Sequence, residues 1–545
     1  MLLRQTHFGA LQHTLGSDAA SELEPRGARL AEPPGVLYNA PRAGARGLRP
    51  RANSGTQTFL PMDAYAARRE GNALTHRQTL LLVLGMLLPT FMGSLDQTIL
   101  ATALPTIGRD FDDMHSLPWL ITAYLLASTA IIPLYGKIAD IHGRRFTLRI
   151  AISTYMAGSL VCALAPNMLV LIFGRVLHGL GGGGLSSMGM IVLGDLVSPK
   201  ERGRYYGYFA VTYTTAGGCG PLLGGLIADH LHWSVIFWIN IPMGLAALAI
   251  ATSLLRRLPR HERPHRLDIF GAALIVISSI AFMLALNLAG VRYAWTSPPI
   301  LGLFALALIV GALFVLRLLT APEPLIPISM LQNRIVRCAI VANAFGWGSI
   351  IGLNVFLPMY LQGVMGLSPS QAGLSLVVLM VALNTSAGLA GQVLGRVRHY
   401  KLLPMLALLL STVAVAMLAW RAPSMTPLSF EFTLIAIGVG FGPLPSLTAV
   451  ALQNVVPRHQ LGISIGTMNF SRNLFATMLI AVFGAIVLAG APAGQSLGSA
   501  FGAANPAEAF GRLFLVAAAS MSIAFIAIAV MAQKPLQTAA ELEAQ

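Results

Sequence analysis

Charge is scarce in this chain. Only 10% of its 545 residues are Asp, Glu, Lys or Arg, against 55% hydrophobic, and the mean hydropathy is +0.70. Soluble domains carry about 25% charged residues, so a soluble globular fold is excluded. Acidic residues are fewest: 21 stand against 36 basic ones, mostly arginine, for a formal charge of +15. In a soluble protein that excess would point to nucleic acid. Here the arginines lie between apolar runs, where the Lys/Arg bias of cytoplasmic loops accounts for them, and no nucleic-acid partner is expected. Three cysteines, Cys162, Cys219 and Cys338, sit in apolar stretches without paired spacing, which argues against a disulfide framework. No His-Glu-x-x-His, Cys/His ligand set or Walker loop occurs, so no metal, no cofactor and no ATP drive is expected.

What remains is a series of apolar runs. Residues 1–75 are rich in Arg, Gly, Pro and Ala, with no run long enough for a signal sequence. They read as a disordered basic tail, or as untranslated before Met62, which opens a short basic lead; an organelle-targeting role is a third reading. Fourteen candidate spans follow, with cores near 80–104, 117–137, 146–165, 168–195, 204–228, 234–255, 269–289, 299–320, 338–360, 371–394, 401–420, 429–452, 464–490 and 512–532. Each is close to the roughly 20 residues that cross a bilayer as a helix. The connecting loops alternate in charge. One side carries Arg144, Arg145, Lys200, Arg202, Arg256, Arg257, Arg334, Arg396 and Arg458; the other has scattered cations and Asp110, Asp112 and Asp113. Both termini are therefore expected in the cytoplasm, which an even number of spans allows. Leu104-Pro105 and Leu357-Pro358 end the first and ninth spans, an internal echo. It suggests an all-α polytopic protein of two six-helix bundles with pseudo-two-fold symmetry: 76–256 and 333–534, with an inserted pair and linkers at 257–332 and a tail at 535–545.

The stretch Leu80–Pro105 carries Asp96, the one acid placed deep in a span. Such a group costs roughly 2.5–3.5 kcal/mol on insertion scales, a cost met where it faces a cavity or a partner. The fourth span carries Arg175 and, one turn on, His178. By helix rise Asp96 and Arg175 both lie roughly 10–12 Å from the outer boundary, so they are expected to share one polar pocket. In general a guanidinium favours a neighbouring carboxylate's charged form, and desolvation favours its neutral form. A carboxylate whose partner moves away can take up and release a proton. A fixed structural pair, with His178 as a packing residue, is the blander reading.

Other stretches bear family marks. The loop after the second span, Gly136-Lys-Ile-Ala-Asp140-Ile-His-Gly143-Arg144-Arg145, resembles the cytoplasmic signature loop of the major facilitator superfamily. The resemblance implies a latch between two halves in the outward-facing state. The fifth span, Ala216-Gly-Gly-Cys-Gly220-Pro221-Leu-Leu-Gly224-Gly225, resembles the antiporter motif of exporters in that superfamily, with Ala216 in place of its first glycine. Proline removes a helix hydrogen bond, so a kink is expected there. Leu95–Pro105, Trp233–Gly244, Leu357–Gln362 and Asn469-Phe-Ser-Arg472-Asn473 are similar to stretches of the fourteen-span drug/proton antiporters. That resemblance covers about residues 76–534.

It implies a secondary transporter that exports hydrophobic or amphiphilic small molecules in exchange for protons, driven by the proton gradient, in the cell (inner) membrane and as a monomer. Two departures matter. The second half has no intramembrane acid apart from Glu431 at a span edge, which argues against dicationic substrates and leaves neutral, anionic and monovalent ones open. The related loop at Gly391–Arg398 lacks the aspartate, so any latch is asymmetric. Trp347, Asn354, Met359, Tyr360 and Asn384 are candidates for lining a substrate pocket, since aromatic and Met side chains suit varied apolar ligands. The alternatives are a proton-linked importer or facilitator, a membrane enzyme, and a non-transporting scaffold.

Overall fold

The computed structural model describes residues 76–536, apart from 114–115, 198, 255–266, 291, 395–399, 422–423 and 489–505. The expected tail at 1–75 with Met62, the Arg256–Arg266 linker, Arg396 and Arg398 lie outside the described residues. Among these residues the regular structure is helical, as expected where lipid offers the backbone no hydrogen-bonding partners. The elements are α1 (His76–Asp110), α2 (Leu117–His142), α3 (Arg144–Ala163), α4 (Met168–Leu196), α5 (Pro199–His230), a turn α6 (Val235–Trp238), α7 (Asn240–Leu254), α8 (Ile269–Leu288), α9 (Pro298–Thr320), a short α10 (Ile328–Gln332), α11 (Arg334–Gly363), α12 (Pro369–Leu394), α13 (Leu402–Arg421), α14 (Pro427–Phe441), α15 (Pro443–Val455), α16 (Leu461–Leu488) and α17 (Pro506–Val530).

Thirteen of the expected spans are helices long and apolar enough to cross a membrane. The fifth, α5, is helical over its whole length but falls outside that set. Its run of glycine, threonine and tyrosine lowers its apolarity. The helix continues through the Gly220-Pro221 step.

Local chemistry sets the helix starts. The Asn167 side chain accepts from the Val170 amide at the head of α4, and Asp268 accepts from the Gly271 amide at the head of α8. Proline occupies the first turn of α2, α9, α14 and α15, where its missing N–H costs nothing. Gly143, at φ +86°, makes the one-residue turn between α2 and α3.

Helices α1–α7 pack among themselves, and so do α11–α17. The pair α8–α9 packs chiefly on itself and lays α8 against α2 and α16. The two groups meet along two seams, α2 against α16 and α5 against α12. Three buried apolar clusters fill the interior. One lies within the first group around Leu95, Ile99, Leu171 and Phe237, and one within the second around Tyr360, Phe430 and Phe514. The third draws on both, joining Leu148, Met188 and Val192 to Leu452, Ile463 and Met468. The groups therefore share a core towards the end that bears the Arg144 loop, called here the basic end.

Candidate functional site

Helix α1 brings Asp96 against α4, and the expected neighbours meet. The Arg175 Nη1 donates to both carboxylate oxygens of Asp96, at 2.8 and 2.9 Å. Arg175 Nε donates to the Leu120 carbonyl at 2.9 Å, and the guanidinium carbon stands 4.4 Å from the Tyr124 ring centroid. Asp96 is 1% exposed, Arg175 2% and His178 0%, so the cluster is dry. Charge-assisted hydrogen bonds of this kind are strong where water is excluded.

His178 closes the triangle. Its Nδ1 lies 2.9 Å from Arg175 Nη1 and 3.5 Å from Asp96 Oδ1. A guanidinium can only donate, so Nδ1 accepts and the ring is the neutral tautomer with its proton on Nε2. That Nε2 is buried and has no hydrogen-bond acceptor among the described residues. The ring is held between Tyr155, at a centroid distance of 4.0 Å, and Tyr124, at 5.7 Å. Tyr155 in turn donates to the Met92 carbonyl of α1 at 3.0 Å, one turn from Asp96. Gly158 of α3 lies against the His178 backbone, where a methyl group would overlap it. Three helices are thus pulled onto one buried carboxylate.

Tyr124, Tyr155 and the Leu120 carbonyl escaped the sequence reading. Aromatic residues in an apolar helix look like ordinary core. The one available signal was spacing, since Leu120 and Tyr124 are four apart and so share a helix face.

At the basic end the signature loop holds a second network. Asp140 Oδ1 accepts from the Gly462 amide at 3.0 Å and Oδ2 from the Ile463 amide at 2.8 Å. These are first-turn amides of α16, which lack intrahelical partners. A side chain of the first group therefore caps a helix of the second. Arg144 Nη1 donates to Asp140 Oδ1 at 2.8 Å, and its Nε to Asp195 Oδ2 at 2.6 Å. Asp195, at the end of α4, was not singled out from the sequence. Gly136 lies so close to Gly462 that a methyl group on either would strike the other's carbonyl. Arg145 follows in the first turn of α3. On the other seam Gly203 and Gly391 approach in the same way, and Gln453 Nε2 donates to the Tyr206 hydroxyl at 2.8 Å.

In the fifth-span motif, Gly220 lets Thr98 of α1 approach closely, and Thr98 Oγ1 donates to the Ala216 carbonyl at 3.2 Å. Gly224 is buried, and Gly225 is half-buried with open space beside its Cα. The motif thus sets the α1–α5 contact on the helix that carries Asp96.

The expected pocket residues divide. Trp347 is half-buried, edge-on to Phe441 at 5.2 Å and 5.7 Å from the Arg472 guanidinium. Asn354 and Asn384 are half-buried and donate back to their own helices, to Ile350 and Met380. Met359 packs on the second group's core. Tyr360 differs from expectation: it is 0% exposed, ringed by Phe430, Phe510 and Phe514 at 5.3–5.5 Å, and belongs to the core rather than to a pocket wall.

The chain is thus a many-helix membrane protein of two packed helix groups, with a dry ion pair inside the first. The sequence profile of the Major Facilitator Superfamily matches residues 86–481, and the chain belongs to that family; it is a transporter and not an enzyme. It is 34% identical over 410 residues to the multidrug transporter protein MdtP of Bacillus subtilis, covering 75% of each chain. It is 31% identical to the multidrug resistance protein 3 of the same organism, covering 75% of this chain and 79% of that one. The efflux pump aflT of Aspergillus parasiticus is 31% identical, covering 74% and 80%. Among solved structures, a bacterial homologue of the iron transporter ferroportin in an outward-facing state aligns with a TM-score of 0.59 at 15% identity, over 83% of this chain and 98% of that one. The proton:xylose symporter XylE aligns at 0.57 and 14%, over 86% and 99%. At such identities these two speak for the fold alone.

Proposed function

We propose that this chain exports hydrophobic or amphiphilic small molecules in exchange for protons, by alternating access. The two six-helix bundles, 76–256 and 333–534, rock about a central site while the pair within 257–332 rides with them. Asp96 is the proton carrier, Arg175 its charge partner and His178 the acceptor that takes over when the partner leaves. The observation that carries the reading is the dry Asp96–Arg175–His178 triangle. A proton arriving on Asp96 removes the charge that Arg175 binds. The new O–H then has His178 Nδ1 within a small shift, and Arg175 is released to move with α4. The names of the multidrug transporters and efflux pumps among the relatives support the substrate class and the direction.

The latch network between Gly136, Asp140, Gly143, Arg144 and Arg145 and the head of α16 holds the basic end shut in one state of the cycle. With the basic loops in the cytoplasm, both termini are cytoplasmic and the closed end faces inward. The working unit is a monomer in the cell membrane.

The test is retention of a fluorescent amphiphile by cells that express the chain. Active export predicts lower steady-state accumulation than in control cells, abolished by a protonophore. Accumulation that is unchanged, or raised by expression and then collapsed by the protonophore, contradicts export and favours an importer.

A further inference from the structure

The charges inside the membrane do not balance. Asp96 and Arg175 cancel, and His178 accepts a hydrogen bond as a neutral ring. That leaves Arg472, about eleven residues into α16 and so about 17 Å of helix rise from its start, near the middle of the span. No described carboxylate forms an ion pair with it, and among the described residues Tyr213 of α5 is the ionisable group that its charge feels. Its protein hydrogen bond runs from Nε to Asn473 Oδ1 at 3.1 Å. The two terminal nitrogens donate to no described residue, yet neither is sealed in the core. An unpaired cation at that depth is costly, and such residues mark binding sites or pathways.

Its surroundings are partly open and reach both helix groups. Arg472 is half-buried. Tyr213 is 37% accessible. Trp347 of α11 stands 5.7 Å from the guanidinium. Asn473 Nδ2 donates to Thr129 Oγ1 of α2 at 3.4 Å, which ties this point of α16 across the seam. Residues of α2, α5, α11 and α16 thus converge on one cation, and they come from both helix groups. Any ligand held there touches both.

We propose that Arg472 is the head-group site for the exported compound, and that the compound is a singly charged anionic amphiphile. A carboxylate or similar head takes the two free guanidinium nitrogens side by side, a geometry that arginine favours. An aromatic body lies along Trp347, the half-buried ring beside the guanidinium. This deepens the export reading above and rests on it for direction, but the binding itself does not.

The experiment is therefore equilibrium dialysis of 2-naphthoate against the purified full chain, with neutral 2-naphthamide as the matched control. Arg472→Gln removes the charge. Asn473→Asp keeps the Oδ1 acceptor but places a carboxylate beside Arg472, and its near-identical shape guards against a folding defect. Arg472→Lys restores the charge. Saturable 2-naphthoate binding to the wild type is expected, weakened tenfold or more in Arg472→Gln and Asn473→Asp and less in Arg472→Lys, which keeps the charge but not the paired nitrogens. Binding of 2-naphthamide should change less than twofold across the set. No saturable binding of 2-naphthoate to the wild type, equal affinity in the charge-altered variants, or parallel loss of 2-naphthamide overturns the proposal. Dialysis needs no gradient. Arg472-dependent binding without export would sink the exporter reading alone, and proton-driven export with Arg472-independent binding would sink this one alone.

Discussion

Asp96 and Arg175 are each other's main compensation, and that sets what their removal costs. Taking one partner from a buried pair leaves an uncompensated charge, a loss of about 3–5 kcal/mol, whereas replacing both with apolar groups is often neutral. Asp96→Ala should therefore lower thermal stability in detergent sharply, and Asp96→Ala with Arg175→Met should recover most of the loss. Equal losses in the single and double variants would mean that the pair is not coupled. At this scale the sequence was informative where chemistry was out of place. An acid, an arginine and a histidine inside apolar runs are conspicuous because each is expensive there. Tyr124 and Tyr155 were not, because an aromatic ring in an apolar helix has the same appearance whether it fills a core or seats a guanidinium. Tyr360 shows the converse: its aromatic ring suggested a pocket, and it packs in the core.

Helices α2 and α16 are joined by a cap supplied from one group to the other. Asp140 accepts two amides at the head of α16 while Arg144 ties it to Asp195. Hydrogen bonds to a charged group contribute about 1.5–3 kcal/mol each. Asp140→Asn keeps a carbonyl acceptor but loses the charge, so the seam should open more often. Thr467, on α16 beside it, is 6% exposed. A cysteine at that position, in a background without Cys162, Cys219 and Cys338, should react with a maleimide several-fold faster when Asp140→Asn is added. An unchanged rate would show that the cap does not hold the seam. The helices themselves were readable from apolar run length. The cap was not, because it joins residues more than three hundred positions apart, and Asp195 looked like an ordinary span-end acid.

Across the whole molecule, the shared core and the close glycine contacts between the two groups gather at the basic end, and the Asp96–Arg175 pair lies in the first group alone. Fold class was legible because lipid leaves a chain of this composition few choices. How the groups meet was not, since Gly136 against Gly462 and Gly203 against Gly391 are backbone contacts without a side-chain signature. The account requires that protonation of the first group drive movement between the two. The most direct measurement uses inside-out vesicles holding a preformed proton gradient, reported by a pH-sensitive dye. Monocationic, neutral and anionic amphiphiles are added in turn to wild type and Asp96→Asn. The account predicts that at least one of them dissipates the gradient with wild type and not with Asp96→Asn. Equal dissipation by both chains would contradict it, because the proton would then be crossing without Asp96.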